Sequence, residues 1–250
     1  MSGARGSDIP VIAVAAWGGG QGVSTVVWAL AVAAEAEGRR VAVVDRCPRP
    51  DLAAGRGRPA PPLGGSIVVV PLEVGPGVMW DAALVTAAVA HVAGAQVIIV
   101  DSPLPFGQPA LGAASHVVLP TRLDGASIRG WALGVRGVDL AGALEKVVGT
   151  VIVDQPWPLT EGAANWRSVL RMAGVDLEQG LWHSARWRRA LGGGGSSARR
   201  LAEARCLLRE VLVAPSRADG LRRLVRIVGR PVAEASADAS MAIGNRRWEC

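Results

Sequence analysis

The chain has no tyrosine and a single phenylalanine, Phe106, so nine tryptophans carry nearly all of its aromatic surface. Lysine is almost absent too. Of 27 basic residues only Lys146 is a lysine, a skew that reads as genomic base composition rather than function. The three cysteines, Cys47, Cys206 and Cys250, are far apart with no C-x-x-C pair, which argues against a zinc site or a disulfide framework and fits a reducing cytoplasm. His91, His116 and His183 show no ligand spacing and are read as structural. No apolar run is long enough to cross a membrane: the most apolar stretch, residues 82–100, is interrupted by Thr86, His91, Gly94 and Gln96. The start, with Asp8 and Pro10 following Arg5, does not read as a signal peptide.

What is present is half apolar and 250 residues long, enough for one α/β domain with a sizeable core. Charge is uneven along it. Residues 1–159 hold 11 basic and 12 acidic side chains, whereas residues 160–250 hold 16 arginines against 9 acids, so an acidic partner would meet the last third. Val- and Ile-rich runs bounded by turn residues predict strands at 10–16, 40–45, 67–71, 96–101, 116–119 and 147–153. Helices are expected at 23–37, 78–93 and about 137–146. Strand and helix alternate, which implies an α/β fold with a mostly parallel sheet covered by helices on both faces. Residues 46–66, rich in proline and glycine, read as a loop, and residues 192–197 as a flexible connector.

Two C-terminal helices follow. Residues 197–213 place Leu201, Ala204, Leu208, Val211 and Leu212 on one face, expected to pack on the sheet. Residues 220–229 place Leu221, Leu224, Val225 and Val228 opposite Arg222, Arg223 and Arg226. Such a basic amphipathic helix can lie on an anionic membrane surface, its alternative being to pack on the domain with its arginines solvated. Nucleic acid is a weaker rival. Trp182 and Trp187 beside Arg186, Arg188 and Arg189 could stack on bases, but a packed surface turn is the simpler reading.

The chemistry concentrates in residues 11–25, an apolar strand that runs into Gly18, Gly19, Gly20, Gln21 and Gly22 and opens a helix. Against the phosphate-loop pattern G-x-x-x-x-G-K-[ST], with the second glycine at Gly22, the first falls on Trp17, the lysine on Val23 and the hydroxyl on Ser24. Backbone N–H groups and the helix dipole can hold a phosphate without that lysine. The missing ammonium removes a charge-assisted hydrogen bond of about 1.5–3 kcal/mol, part of which acts on charge developing during transfer. Gly22 is expected to leave room for the phosphate. A dinucleotide loop G-x-G-x-x-G fails on its third glycine, which falls on Val23 or Thr25, although Asp45 stands where a ribose contact would. The plainest alternative is a tight turn with no ligand.

These residues resemble the MinD/ParA group of deviant Walker ATPases, in particular its CpaE-like and septum-site-determining branch, over about residues 9–212. Gly19, Gly20, Gly22, Ser24 and Thr25 match the loop K-G-G-x-G-K-[ST]-T, with Gly18 at the signature lysine and Val23 at the Walker lysine, a degenerate Walker A. Asp45 matches the first acid of the D-x-D-P motif, whose second acid is replaced by Cys47, and Asp101 ends a strand similar to Walker B.

The resemblance implies a P-loop domain over residues 9–213; the helical spacing and the polar composition beyond it give a short basic helix over 214–232 and disordered ends at 1–8 and 233–250. It implies ATP on Gly19, Gly20, Gln21, Gly22, Val23, Ser24 and Thr25, Mg²⁺ at Ser24 and, through water, at Asp101, and a catalytic place for Asp45. A homodimer, a division or secretion partner, and a cytoplasmic site at the inner face of the membrane follow from the same resemblance. With both lysines and the second acid gone, the expectation is weak binding or poor turnover and a positioning or regulatory role in septum placement or pilus assembly. The alternatives are an active Mg-dependent ATPase, with Arg46, Arg49 or a residue of another protein replacing the lysine, and a ligand-free scaffold. Asp154 and Gln155 stand where relatives often carry a base-reading Asn, so adenine preference is not implied.

Overall fold

The computed structural model describes residues 9–17, 20–45, 66–71, 94–103, 108–153, 161–177 and 197–228. Its strands are β1 (Val11–Ala16), β2 (Val41–Asp45), β3 (Ile67–Pro71), β4 (Val97–Pro103), β5 (His116–Thr121) and β6 (Val147–Ile152). They form one sheet in the order β3-β2-β4-β1-β5-β6, every neighbouring pair parallel. The expected doubly covered parallel sheet is therefore the one observed. Strands so placed are buried on both faces, which is why they read as unbroken apolar runs.

Side chains alternate between the two faces. Val11, Ala13 and Ala15 of β1 join one core layer and Ile12 and Val14 the other. The second layer is built by α1 (Val23–Ala36) and, outside it, the helix at Ser197–Val213. Ala204, Leu207, Leu208 and Val211 of that outer helix are fully buried, and its Arg205 guanidinium donates to the Ala36 carbonyl at 2.5 Å, closing the C-terminus of α1. Leu207 adds to the apolar face read from the sequence. This helix packs mainly on α1, and it reaches the sheet at His116. Burial pushes the His116 ring below its ordinary pKa, against a hydrogen bond to the Leu212 backbone, while Nδ1 lies 2.8 Å from the Ser115 hydroxyl.

The first layer differs from expectation in three helices. The predicted segment 137–146 covers only the end of α3 (Gly125–Leu140) and a 3₁₀ turn at Leu144–Lys146; α2 is the short helix Gln108–Ala113. Asp124, with extended φ/ψ, is the N-cap of α3 and accepts from the Ser127 N–H at 2.8 Å. Gly125, Gly130, Gly134 and Gly137 dilute the helical signal, since each costs about 1 kcal/mol of propensity relative to alanine. Burial of Ile128, Trp131, Val135 and Val138 overrides that cost. The next helix, α4 (Glu161–Met172), was not expected, although Ala163, Trp166, Val169 and Leu170 fall on one face that packs on the core. The helix at Ser197–Val213 is α5.

The last helix, α6 (Ala218–Val228), takes the second of the two readings of residues 220–229, packing on the domain. Leu221 and Leu224 are 0% and 2% exposed and belong to the core layer that contains Trp131 and Val135 of α3. Leu221 and Leu224 of the apolar face are thus covered by the domain, each leucine contributing about 1.5–3 kcal/mol by burial there. Arg222 pairs with Glu145 and Asp219 at the surface. Among the described residues no helix is long and apolar enough to cross a membrane. The predicted helix 78–93, the loop 46–65, Trp182, Trp187, Asp154, Gln155 and the expected disordered ends 1–8 and 233–250 lie outside the described residues.

Candidate phosphate-loop site

Parallel strands bring the ends of β1, β2, β4 and β5 to one edge of the sheet, and the glycine loop leaves β1 there. Gly18 and Gly19 lie outside the described residues. Gly20 and Gly22 have φ of +80° and +90°, backbone that favours glycine. Gly22 is the N-cap of α1 in the left-handed conformation, with no side-chain cap and no acid in the first helical turn. The start of α1 therefore presents N–H groups without an internal acceptor from a side chain, the arrangement that favours an anion.

Ser24 does not cap its helix. Its hydroxyl donates instead to Oδ2 of Asp101 at 2.9 Å, tying the first turn of α1 to the end of β4. Asp101 is 1% exposed and Asp45 is fully buried, and the two are register partners on the neighbouring strands β2 and β4. Each has further interactions. The sequence-predicted Ser24, Asp45 and Asp101 thus meet at one edge of the sheet. Among the described residues no three His, Cys, Asp or Glu side chains gather into a metal cage. A hydroxyl beside carboxylate is nevertheless the donor set Mg²⁺ uses when waters and phosphate oxygens complete its octahedron, so these residues fit Mg²⁺–phosphate.

Gln21, Gly22 and Val23 face the protein, whereas Gly20 is exposed. Val23, at the lysine position, is half-buried and packs on the core layer of α1. A Cβ at Gly22 would lie 2.7 Å from Cγ1 of Val153, so the space glycine leaves is filled by the chain just after β6 and not by a ligand. That corrects the reason first given for Gly22. Gln21 is 6% exposed and packs its amide nitrogen where a Cβ of Gly130 would stand, and its Oε1 has no hydrogen-bond partner. Such an orphan acceptor costs about 1–3 kcal/mol. The Trp17 backbone passes the open face of Gly134, whose Cβ would stand 3.6 Å from the Trp17 nitrogen. Gly130 and Gly134 of α3 and Val153 were missed as site residues. The signal was the i, i+4 glycine pair, visible only once α3 is placed.

Lys146, the chain's only lysine, cannot replace the missing one. Its Nζ donates to the carbonyls of Leu111 and Gly112 at 3.3 and 2.5 Å, and it precedes β6, at the opposite edge of the sheet. At the loop edge Arg122 follows β5. Its guanidinium stands 3.9 Å from Asp124, with 46% of its side chain exposed. Partial burial pushes the Asp124 carboxyl up, but hydrogen bonds from Ser127 and the charge of Arg122 outweigh this and hold it below its ordinary value.

No protein-family model matches the sequence, and no curated protein does. Solved structures match the fold. A MinD cell division protein from Aquifex aeolicus superposes with a TM-score of 0.60 at 13% identity, covering 80% of this chain and 97% of that one. A putative plasmid partition protein from Borrelia burgdorferi B31, bound to AMPPNP, gives 0.63 at 12% identity, covering 81% and 98%. Cobyrinic acid a,c-diamide synthase from Mycobacterium smegmatis, with ADP and magnesium, gives 0.57 at 18% identity, covering 73% and 92%. The fold is that of the MinD/ParA-type P-loop ATPases, and identities this low speak for fold alone.

Proposed function

We propose that residues 19–25 bind the phosphates of ATP, with Mg²⁺ held by Ser24 and, through water, by Asp101, and that turnover is slow or absent. The observation that carries this reading is the Ser24–Asp101 hydrogen bond beside a helix N-terminus with no side-chain cap. Mg²⁺ held there would neutralise the charge of the bound phosphates. The nucleotides named for the similar structures support the ligand class. Slow turnover follows from Val23, which offers no charge to a departing phosphoryl group, and from Cys47 in place of a second carboxylate beyond Asp45. Binding without rapid hydrolysis suits a regulatory or positioning adaptor. Cell division and plasmid partition, named for two of the similar structures, give the class of process, and the CpaE-like motifs extend it to pilus or secretion machinery. In this reading the protein works in the cytoplasm, as a homodimer, on a protein of that machine.

The ligand-free scaffold has one observation in its favour: Val23 and Gln21 both turn inward, so the loop is anchored without help from a ligand. Substituting Asp101 by alanine separates the readings. It should lower affinity for a fluorescent ATP analogue in the presence of Mg²⁺ by about tenfold or more, and leave the weaker Mg²⁺-free affinity nearly unchanged. Equal loss in both conditions would make Asp101 structural.

A further inference from the structure

We infer that Arg122 supplies the positive charge to the bound phosphates that Val23 no longer can. The inference rests on the nucleotide-binding reading above and adds a residue to it. β5 is the hydrogen-bonded neighbour of β1, with Val14 opposite Val118, so Trp17 and Thr121 leave the sheet side by side. The Thr121 carbonyl accepts from Val153 N–H at 2.8 Å, and the Val153 side chain is the one that fills the space beside Gly22. Gly22, Val153, Thr121 and Arg122 are thus consecutive links at one rim of the loop.

Arg122 is available for such a role. Its carboxylate neighbour, Asp124, is already engaged at both oxygens by Ser127, at 2.8 and 2.9 Å, which leaves the ion pair at 3.9 Å loose. A guanidinium has five donors in a planar fork, so a loose single contact to Asp124 leaves most of them for a phosphate. Asp45 and Asp101 stand on the neighbouring strand ends, so a cation at this rim favours an anionic ligand there. Other described cations are less well placed. Arg129 folds back toward Gly125, its Nη1 3.7 Å from where a Cβ there would stand. It is one residue, about 100° round α3, from the Gly130 that meets Gln21. Lys146 is at the far edge.

The test is equilibrium binding of a fluorescent ATP analogue with Mg²⁺ to the full chain, over a range of salt, for wild type, Arg122→Ala, Arg122→Lys and Arg136→Ala. Arg136, exposed on α3, is the charge control. Loss of a charge-assisted contact predicts affinity weakened about tenfold to a hundredfold in Arg122→Ala, with a shallower salt dependence. Arg122→Lys should keep most of the affinity and Arg136→Ala all of it, and the thermal midpoints of all four should agree. A salt dependence unchanged in Arg122→Ala, or a loss matched by Arg136→Ala, overturns the assignment. A wild type that binds but is indifferent to Arg122→Ala overturns this inference alone. A wild type that binds no nucleotide overturns the binding reading and this one together.

Discussion

Gly22→Ala should be the most damaging single-methyl change in the loop, with a loss of about 2–6 kcal/mol in unfolding free energy and no measurable nucleotide affinity. Two independent terms add. A non-glycine residue at φ +90° is strained, at about 1–3 kcal/mol. The new methyl group would also lie 2.7 Å from Cγ1 of Val153, which is itself 1% exposed and has nowhere to retreat, and overpacking of that kind costs about 1–3 kcal/mol. The two terms can be separated. Val153→Ala in the Gly22→Ala background removes the clash and leaves the backbone strain, so urea denaturation should show a partial return of stability. A Gly22→Ala chain as stable as wild type would mean the loop does not hold this conformation.

Gly220→Ala is expected to undock α6. A Cβ at this position runs into the backbone carbonyl of Ala173 and stands 2.9 Å from Cγ1 of Val175, and a backbone atom at the end of α4 cannot swing aside as a side chain can. If α6 lifts, Leu221 and Leu224 lose their burial. The cost is then about 3 kcal/mol or more, at about 1.5–3 kcal/mol for each leucine. Hydrogen exchange should accelerate across residues 218–228 while the sheet stays protected. Undiminished protection in α6 would contradict the packing described. The same packing means that Leu224→Glu tests folding and not membrane binding, because a charge placed at a 2% exposed core position destabilises the domain whether or not lipid is present.

Much of this was legible in the sequence for physical reasons that also mark where legibility stops. The strands were readable because a parallel strand buried on both faces must be apolar throughout, and Val97, Ile98, Ile99 and Val100 leave no alternative. The loop was readable because backbone at positive φ, as at Gly20 and Gly22, favours glycine. The meeting of Ser24 with Asp101 followed from β1 and β4 being neighbours, as the motif order implied. Helix α3 was misplaced because its glycines, which let Trp17 and Gln21 approach, are the residues that weaken a helical pattern. Helix α6 was found, but the sequence left open whether its apolar face meets lipid or the domain. An apolar face at i, i+3 and i+4 looks the same whether it meets lipid or protein, and the discriminating residue was Gly220, whose missing side chain matters only for close approach to another backbone. The lysine position could be read as lost; that Val23 packs into the core could not.

The central claim is that this loop holds a nucleotide without turning it over quickly. Titration of the full chain with a fluorescent ATP analogue and Mg²⁺, with phosphate release followed from unlabelled ATP in a parallel sample, measures both halves. Saturable, Mg²⁺-strengthened binding is expected, with a rate well below the roughly 1–10³ s⁻¹ of typical enzymes. Absence of saturable binding, or phosphate release within that range, would contradict it.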